Sequence, residues 1–284
     1  KDAAPALYDD KRGGRFSHRR DDKHVRRDVR GPYPRLGLDV VAKMSNRLPF
    51  LPLILALLWA SHGCSSPPPE GAESVIVVHG LRRTPASMTI LVSRLKNAGF
   101  RVVSFGYPST SEPMEALVAR LQSEVERCCG TQAETVHFVT HSMGGVLVRS
   151  YLGQQPEKHR GRVVMLSPPS KGSEIVDALA DSPLGEPVLG PAGSTLGTDS
   201  TSLLNELGPV RFTLGIVTGD RSMSPIGSWL IPGPDDGKVG VRRAMVDGAT
   251  DFMVVPATHT FIMNRRDVAE EVVHFLRNGR FRNP

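Results

Sequence analysis

The sequence predicts an α/β domain over residues 74–281, in which helices flank a mostly parallel central sheet. Short apolar runs rich in β-branched residues alternate with segments of helical periodicity, an order typical of parallel βαβ units. The runs are mostly apolar rather than strictly alternating with polar residues, as expected for strands that helices cover on both faces. We expect strands at 74–78, 101–105, 135–140, 162–166, 212–218 and 251–255.

Four segments between these runs carry apolar residues at helical spacing. They predict helices at 85–98, 113–128, 143–152 and 267–276. The stretch from Ser182 to Pro209 departs from this order, because it is rich in Gly, Pro, Ser and Thr and offers only a short helical candidate at 200–207. A loop of this length inside a compact domain either carries function or conceals a regular element.

The N-terminal part of the sequence predicts segments that do not belong to the domain. Residues 1–43 are rich in Arg, Asp, Gly and Pro and have no apolar periodicity, which is typical of disorder. Met44 follows this stretch and begins a signal-like segment. We therefore hold two hypotheses for 1–43, a disordered extension or a stretch upstream of the true translation start.

Residues 44–64 have a positively charged start, a short apolar run and Gly-Cys at the end, and a Pro/Ser-rich linker follows at 65–73. The run is too short to span a bilayer but suits the core of a signal peptide. The segment resembles a bacterial lipoprotein signal, which makes Cys64 the lipidation candidate, although Ser61 and His62 depart from the usual residues there. Simple secretory cleavage, an uncleaved anchor and a buried apolar segment remain open alternatives.

Charge and cysteine content exclude some functions. The net charge is +6 with a pI near 9.5, but the basic excess lies in the N-terminal part and the domain is close to neutral. Without a basic stripe interleaved with aromatic residues, we expect no nucleic-acid partner. Cys128 and Cys129 are adjacent and could pair only with strain, so we expect no ordinary disulfide there but a helix end with one cysteine buried. No metal-binding spacing is found, and we expect no metal.

Ser142 is the strongest candidate for a nucleophile. The segment Thr140-His141-Ser142-Met143-Gly144-Gly145 follows a predicted strand and opens a predicted helix. A sharp turn in that context exposes the Ser hydroxyl and needs small flanking residues. The helix N-terminus also directs free N–H groups toward a developing oxyanion. Thr140 replaces the first Gly of the usual Gly-x-Ser-x-Gly pattern, a position where a Thr can fit.

A second motif, Val-Val-His-Gly-Leu at residues 77–81, ends the first predicted strand. Acyl transfer needs two aligned donors for the oxyanion. We expect the backbone N–H groups of Leu81 and Met143 to supply them. His79 is expected to order this loop rather than to act as a base.

Three histidines follow Ser142, and His259 is the best candidate for the general base. It lies in a loop that directly follows the last predicted strand, whereas His159 comes too early in the chain and His274 lies within the last predicted helix. The acid that orients it has three candidates. Asp220 directly follows a strand, while Asp235 and Asp236 lie in the segment Gly-Pro-Asp-Asp-Gly-Lys-Val-Gly.

From Ser74 to about Arg280 the chain resembles the bacterial lipase and esterase branch of the α/β-hydrolases, including proteins similar to the deacylase of GPI inositol and small proteobacterial hydrolases. The motifs that carry this resemblance are VVHGL (77–81), HFVTHSMGG (137–145), DDGKV (235–239) and THTFI (258–262). The resemblance implies the α/β-hydrolase fold with a small cap. It also implies the chain order Ser, acid, His, which all three candidate acids satisfy. Asp236-Gly-Lys-Val resembles the Asp-Gly-x-Val segment that carries the acid in bacterial lipases, which favours Asp236 over Asp220 and Asp235.

The expected function is therefore hydrolysis of carboxylic esters by Ser142, His259 and Asp236 through an acyl-enzyme, without a cofactor. Amidase, thioesterase or transacylase activity and a non-catalytic envelope protein remain alternatives, and some lipases hold calcium near the acid loop. We expect a small-molecule or lipid ester as substrate and a monomer. The expected location is the Gram-negative cell envelope, periplasmic or anchored to a membrane through Cys64.

Overall fold

The computed structural model describes residues 71–130, 135–154, 161–199 and 203–282. The predicted extension at 1–43, the signal-like segment at 44–64 with Cys64, and His159 lie outside the described residues. Among the helices that the structure describes, none is both long enough and apolar enough to cross a membrane.

Six parallel strands form the sheet in the described ranges, in the order β2-β1-β3-β4-β5-β6. Three strands have the predicted bounds and the other three are shifted by one or two residues, so the predicted α/β class is confirmed. The strands are β1 Ser74–Val78, β2 Arg101–Phe105, β3 Val136–His141, β4 Val163–Leu166, β5 Leu214–Gly219 and β6 Asp251–Val255.

Helices connect successive strands and cover both faces of the sheet. A short 3-10 turn at Pro85–Met88 leads into the first helix, and another at Ile262–Asn264 precedes the last. The α-helices are α1 Thr89–Asn97, α2 Met114–Cys129, α3 Met143–Gln154, α4 Glu174–Ala180, α5 Gly185–Ser194, α6 Leu203–Glu206, α7 Pro225–Leu230, α8 Val241–Ala244 and α9 Arg266–Asn278.

Two apolar cores form because successive side chains of a strand point to opposite faces. Ile76 and Val78 of β1 pack into the core that includes α2 and α3. Val75 and Val77 pack into the core that includes α1 and α9. Every residue of β1, β3, β4 and β5 is buried, which agrees with their mostly apolar sequences.

The strand order reverses beside β1. From β1 the chain passes outward to the edge strand β2 and then returns to form β3 on the other side of β1. In open parallel sheets such a reversal opens a crevice at the carboxyl ends of the two strands, because the connections leave in opposite directions. The segments that follow β1 and β3 carry Leu81 and Ser142, so the fold brings both predicted motifs to this crevice.

The stretch from Ser182 to Pro209 conceals regular elements, one of the two possibilities that its sequence left open. It contains α5, which bends at Gly190 with φ +62°, and α6, which lies within the helical candidate at 200–207. Gly190 lies so close to Thr110 that a Cβ on this glycine would approach the Thr110 carbonyl oxygen to 1.9 Å. The sequence did not indicate α5 because the segment is rich in Gly and Pro. The structure also pairs Cys128 with Cys129 in a disulfide at the end of α2, where no disulfide was expected, with Cys129 buried as predicted.

Candidate active site

Ser142 lies in the sharp turn between β3 and α3, at the carboxyl edge of the sheet. Its φ is +54°, a left-handed conformation that non-glycine residues rarely adopt. The Ser142 N–H donates to the carbonyl of Leu166 at 2.9 Å, which ties the turn to the end of β4. Strain of this kind persists only where surrounding contacts hold it, and it is common at catalytic nucleophiles.

Small residues allow the turn to lie against β1. A Cβ on Gly144 would approach the His79 carbonyl oxygen to 2.6 Å, so the start of α3 requires glycine at this position. A Cβ on Gly145 would lie 3.2 Å from the hydroxyl of Thr140. Thr140 therefore fits in place of the usual glycine because the helical residue that faces it has no side chain.

The structure brings Ser142, His259 and Asp236 into one hydrogen-bonded series. His259 Nε2 lies 3.0 Å from Ser142 Oγ, and His259 Nδ1 lies 2.9 Å from Asp236 Oδ2. The loop that follows β6 carries His259, whose backbone N–H donates to the Asp236 carbonyl at 2.9 Å. These contacts fix the ring with one nitrogen toward the acid and the other toward the hydroxyl, as a general base requires.

Asp236 is buried, with 2% of its surface exposed. Its Oδ1 accepts hydrogen bonds from the backbone N–H groups of Lys238 at 3.0 Å and Val239 at 2.8 Å. Burial would raise the pKa of Asp236, but His259 and the Val239 N–H favour the charged form and hold the pKa below its ordinary value. The carboxylate is thus ionised and both of its oxygens are occupied.

The alternative acids do not contact His259. Asp235 Oδ1 accepts from the Ser228 hydroxyl at 3.0 Å and from the Gly237 N–H at 2.7 Å, so it stabilises the loop that presents Asp236. The Asp220 carboxylate forms an ion pair with the guanidinium of Arg221, with 3.5 Å between Oδ2 and Nη1. His274 lies on α9, where its Nδ1 is 3.2 Å from the side-chain amide of Asn278.

The two predicted oxyanion donors flank Ser142. Met143 is the first residue of α3, so its N–H has no acceptor one turn earlier in the helix. Leu81 follows Gly80, whose absent side chain lets the loop after β1 approach Ser142; a Cβ on Gly80 would lie 3.0 Å from Ser142 Cβ. Both backbone segments therefore border the hydroxyl that would attack a carbonyl.

His79 orders the loop after β1. Its ring stacks on Tyr107 with centroids 4.3 Å apart, and the Tyr107 hydroxyl donates to the His79 carbonyl at 2.7 Å. The Tyr107 N–H lies 3.4 Å from Nε2, and Nδ1 lies 2.9 Å from the Gly80 carbonyl oxygen, so Nδ1 carries the proton. Burial lowers the pKa of His79. The ring is neutral and does not line the cavity described below.

His141 is a feature that the sequence reasoning passed over. It is 2% exposed, and its Nε2 lies 2.9 Å from the carbonyl oxygen of His259, to which it donates. Burial and the neighbouring His259 lower the pKa of His141 well below its ordinary value. The neutral ring therefore anchors the loop that carries His259. Its place beside Ser142 in the motif was a signal that could have identified this role.

A cavity of about 310 Å³ opens at Ser142 and His259. Its lining is mostly apolar and also includes basic residues. The apolar residues are Leu81, Pro169, Ile175, Val176, Leu179, Val188, Leu189, Leu196 and Val239. The helices α4 and α5 thus form the small cap that was expected over the site. A cavity of this size is at the lower end of small-molecule sites, which span roughly 300–1,000 Å³.

Hydrogen bonds connect the cap to the site. The Arg82 guanidinium donates to the carbonyls of Pro187 and Val188 at 3.4 and 3.5 Å, which joins the loop after β1 to α5. The Ser173 hydroxyl donates to the Lys238 carbonyl at 2.7 Å, which joins the start of α4 to the loop of Asp236.

Trp229 and Ile231 lie at the end of α7. The structure places Ile231 in the interior, with 3% of its surface exposed, and leaves Trp229 83% exposed. Neither residue lines the cavity. Within the described part of the chain, no group of three or more His, Cys, Asp or Glu side chains is arranged to hold a metal ion.

Comparisons with known proteins agree with this architecture. The alpha/beta hydrolase family matches residues 75–274. Among solved structures, the chain is similar to the mature form of the Bacillus licheniformis lipase BlEst2, with a TM-score of 0.56, 19% identity, and coverage of 70% of this chain and 89% of that one. No curated protein matches the sequence.

Two further structures show the same fold. The propeptide form of BlEst2 gives a TM-score of 0.59 at 18% identity, over 73% of this chain and 51% of that one. Phospholipase PlaB from Legionella pneumophila in complex with thio-NAD gives a TM-score of 0.55 at 17% identity, over 73% of this chain and 62% of that one. The chain therefore spans about half the length of the BlEst2 propeptide form and less than two thirds of PlaB.

The burial of neutral His141 predicts a pH dependence of stability. Below about pH 6.5 the unfolded chain binds a proton at this histidine and the folded protein does not, so stability falls as the pH is lowered. In His141→Gln this contribution is absent, so the free energy of unfolding should fall less steeply as the pH is lowered. The slopes of the two proteins should differ by up to about 1.4 kcal/mol per pH unit.

Urea unfolding of both proteins between about pH 5 and about pH 8 measures this difference. The other buried histidines are present in both proteins, so their contributions cancel in the comparison. Plotted against pH, the free energies of unfolding of the native chain and of His141→Gln should run parallel above about pH 7 and converge below it. Curves that stay parallel over the whole range would show that His141 is not held neutral by the fold.

Proposed function

The chain belongs to the alpha/beta hydrolase family, and from that premise we propose that it is a serine hydrolase that cleaves carboxylic esters. One observation carries the proposal. The hydrogen-bonded series Asp236–His259–Ser142 ends at a hydroxyl in a strained turn, and that hydroxyl opens into a largely apolar cavity. The series supplies an activated nucleophile, and the cavity supplies room for an acyl chain.

In the first half of the reaction, Ser142 Oγ attacks the ester carbonyl while His259 Nε2 takes the hydroxyl proton. Asp236 holds Nδ1–H of the ring and stabilises the imidazolium that forms. The N–H groups of Leu81 and Met143 stabilise the oxyanion of the tetrahedral intermediate. His259 then gives its proton to the departing alcohol, and the acyl group remains on Ser142.

In the second half, a water molecule replaces the alcohol. His259 takes a proton from the water, which attacks the acyl carbonyl, and the same two N–H groups stabilise the new oxyanion. Collapse of this intermediate releases the carboxylic acid and returns the proton to Ser142. The ordered neutral rings of His79 and His141 keep the surrounding loops in place and do not compete for protons.

Two alternatives differ in their chemistry. An amidase, thioesterase or transacylase would use the same residues on another acyl donor or acceptor. A non-catalytic envelope protein would keep the fold without an activated serine. The apolar cavity favours an acyl ester, and similar structures described as a lipase and a phospholipase support the same direction.

The nucleophile is tested by Ser142→Ala. Hydrolysis of p-nitrophenyl esters of graded chain length should fall by about 10⁴-fold or more, since the series then ends in a methyl group. Labelling by a fluorophosphonate probe, which reacts with activated serines, should disappear. The variant should unfold at a urea concentration close to that of the native chain, because the methyl group fits the same turn.

Ser123→Ala is a matched control, since Ser123 lies on the exposed side of α2 and does not line the cavity. It should retain both esterase activity and labelling. Full esterase activity in Ser142→Ala would refute the nucleophile. A native chain that neither hydrolyses esters nor takes the probe would favour the non-catalytic alternative.

The acid is tested by comparing Asp236→Asn with Asp220→Asn. An amide at 236 removes the charge that stabilises the imidazolium and favours the wrong tautomer, so kcat should fall on the order of 10³ to 10⁴-fold. Asp220 does not contact His259, and its variant should stay within about threefold of the native rate. Steady-state kinetics on one ester decide between them, and the opposite ranking would move the acid to Asp220.

We also propose that the protein is located in the cell envelope and anchored by lipid at Cys64. The support is the resemblance of residues 44–64 to a lipoprotein signal. In a Gram-negative host the native chain should incorporate radiolabelled palmitate and partition with membranes, and Cys64→Ser should do neither. Equal labelling of both proteins would contradict lipidation at this residue.

A further inference from the structure

We propose that this site selects acyl esters that carry a negative charge close to the ester group, and that Arg83 and Lys238 bind that charge. The inference rests on the proposed function and specifies its substrate class. The anion is a phosphate or a carboxylate, which the same two cations would recognise.

The cavity has an uneven distribution of charge. Three cationic side chains line it, Arg82, Arg83 and Lys238, and no Asp or Glu is among the described residues that form its wall. Asp236 is buried, and its oxygens accept hydrogen bonds from His259 and two backbone N–H groups. Its charge acts to raise the pKa of Lys238, against larger effects that lower it, but its carboxylate does not line the cavity. An anion there would therefore meet positive charge with no carboxylate of the described residues in the wall.

Of the three cations, only Arg82 forms a side-chain hydrogen bond in the described ranges. Arg82 donates to carbonyls of α5, so it acts in holding the cap. Within the described ranges, neither Arg83 nor Lys238 forms an ion pair or a side-chain hydrogen bond. Eight other basic residues of the described ranges pair with acids, whereas the exposed Lys96, Arg211, Arg242 and Arg280 do not, so what distinguishes Arg83 and Lys238 is their place on the cavity wall. The eight are Arg120, Arg127, Lys171, Arg221, Arg243, Arg265, Arg266 and Arg282.

Arg83 and Lys238 line the same cavity as Ser142 and His259. Partial desolvation at the cavity wall, and then the charge of Arg83, lower the pKa of Lys238. The charge of Arg83 also acts on His141, the residue before Ser142. Like charges that line one cavity repel each other unless an anion lies between them. A bound phosphate or carboxylate would remove this repulsion.

Lys238 is also fixed with respect to the catalytic residues. Its backbone N–H donates to Asp236, and its carbonyl accepts from Ser173 at the start of α4. The loop that holds the acid thus also presents the cation. An anion bound there would lie beside the ester carbonyl, while the acyl chain would lie against Val176, Leu189 and the rest of the apolar wall. The fitting substrate is an amphiphile with one acyl tail.

The test compares matched esters that differ in charge. The first pair is octanoylglycerol and octanoylglycerol phosphate. The second is octanoyloxy-nitrobenzoate and the corresponding uncharged octanoyloxy-nitrobenzamide, which release similar phenols. The measured quantity is the ratio of kcat/KM for the anionic ester to kcat/KM for the neutral ester within each pair. The native chain should favour the anionic member, and the pair with the larger ratio identifies phosphate or carboxylate.

The double variant Arg83→Gln/Lys238→Gln should lower that ratio by about tenfold or more, because charge-assisted contacts are lost. Lys238→Arg should keep most of the preference, since a cation remains. Arg242→Gln is the matched control, as it removes an exposed cation that does not line the cavity. Its ratio should equal that of the native chain.

A second measurement uses the native chain alone and does not depend on the folding of variants. Octyl phosphate should inhibit hydrolysis of a neutral ester at lower concentration than octanol does, and added salt should reduce the difference. A ratio near unity, or a preference that the double variant retains, would overturn this inference while leaving ester hydrolysis intact. Failure of every ester together with absence of serine labelling would instead overturn the proposed function on which it rests.

Discussion

The left-handed turn at Ser142 is the constraint on which the arrangement of the site depends. It holds because backbone on two sides fixes it, through the Ser142 N–H bond to Leu166 and the close approach of Gly144 to the His79 carbonyl. A side chain at 144 would push α3 away from β1 and separate the donors that flank the hydroxyl. Gly144 thus allows the close packing against β1 that maintains the unfavourable backbone conformation of Ser142.

Loops from different strands are joined around this turn by hydrogen bonds rather than by one continuous element. The carbonyl of His259 accepts from His141, its N–H donates to the Asp236 carbonyl, and its ring bridges Asp236 and Ser142. Ser173 adds the cap through the Lys238 carbonyl. Because these groups are buried, each unmade bond would leave a costly polar group, and this makes the geometry specific.

The sequence was informative wherever the chemistry was local. Apolar runs located the strands to within two residues, and the strand–Ser–helix context located the turn, because both depend on neighbouring residues. The choice of Asp236 over Asp220 needed a resemblance, since the folding of a loop decides which carboxylate reaches His259. The kinked helix α5 was missed because Gly190 and its neighbours have low helix propensity, and close packing against Thr110 outweighs it.

Average charge also concealed a local property of the site. The domain is close to neutral in sequence, which argued against an anionic partner such as nucleic acid. The fold nevertheless places Arg83 and Lys238 on the wall of one cavity, and no Asp or Glu is among the described residues that line it. The electrostatic potential depends on where charges lie and on how much water surrounds them, so a net charge near zero over the domain is compatible with a positive potential in one cavity. Which charges line one cavity is decided by how the loops fold, and spacing along the chain does not reveal it.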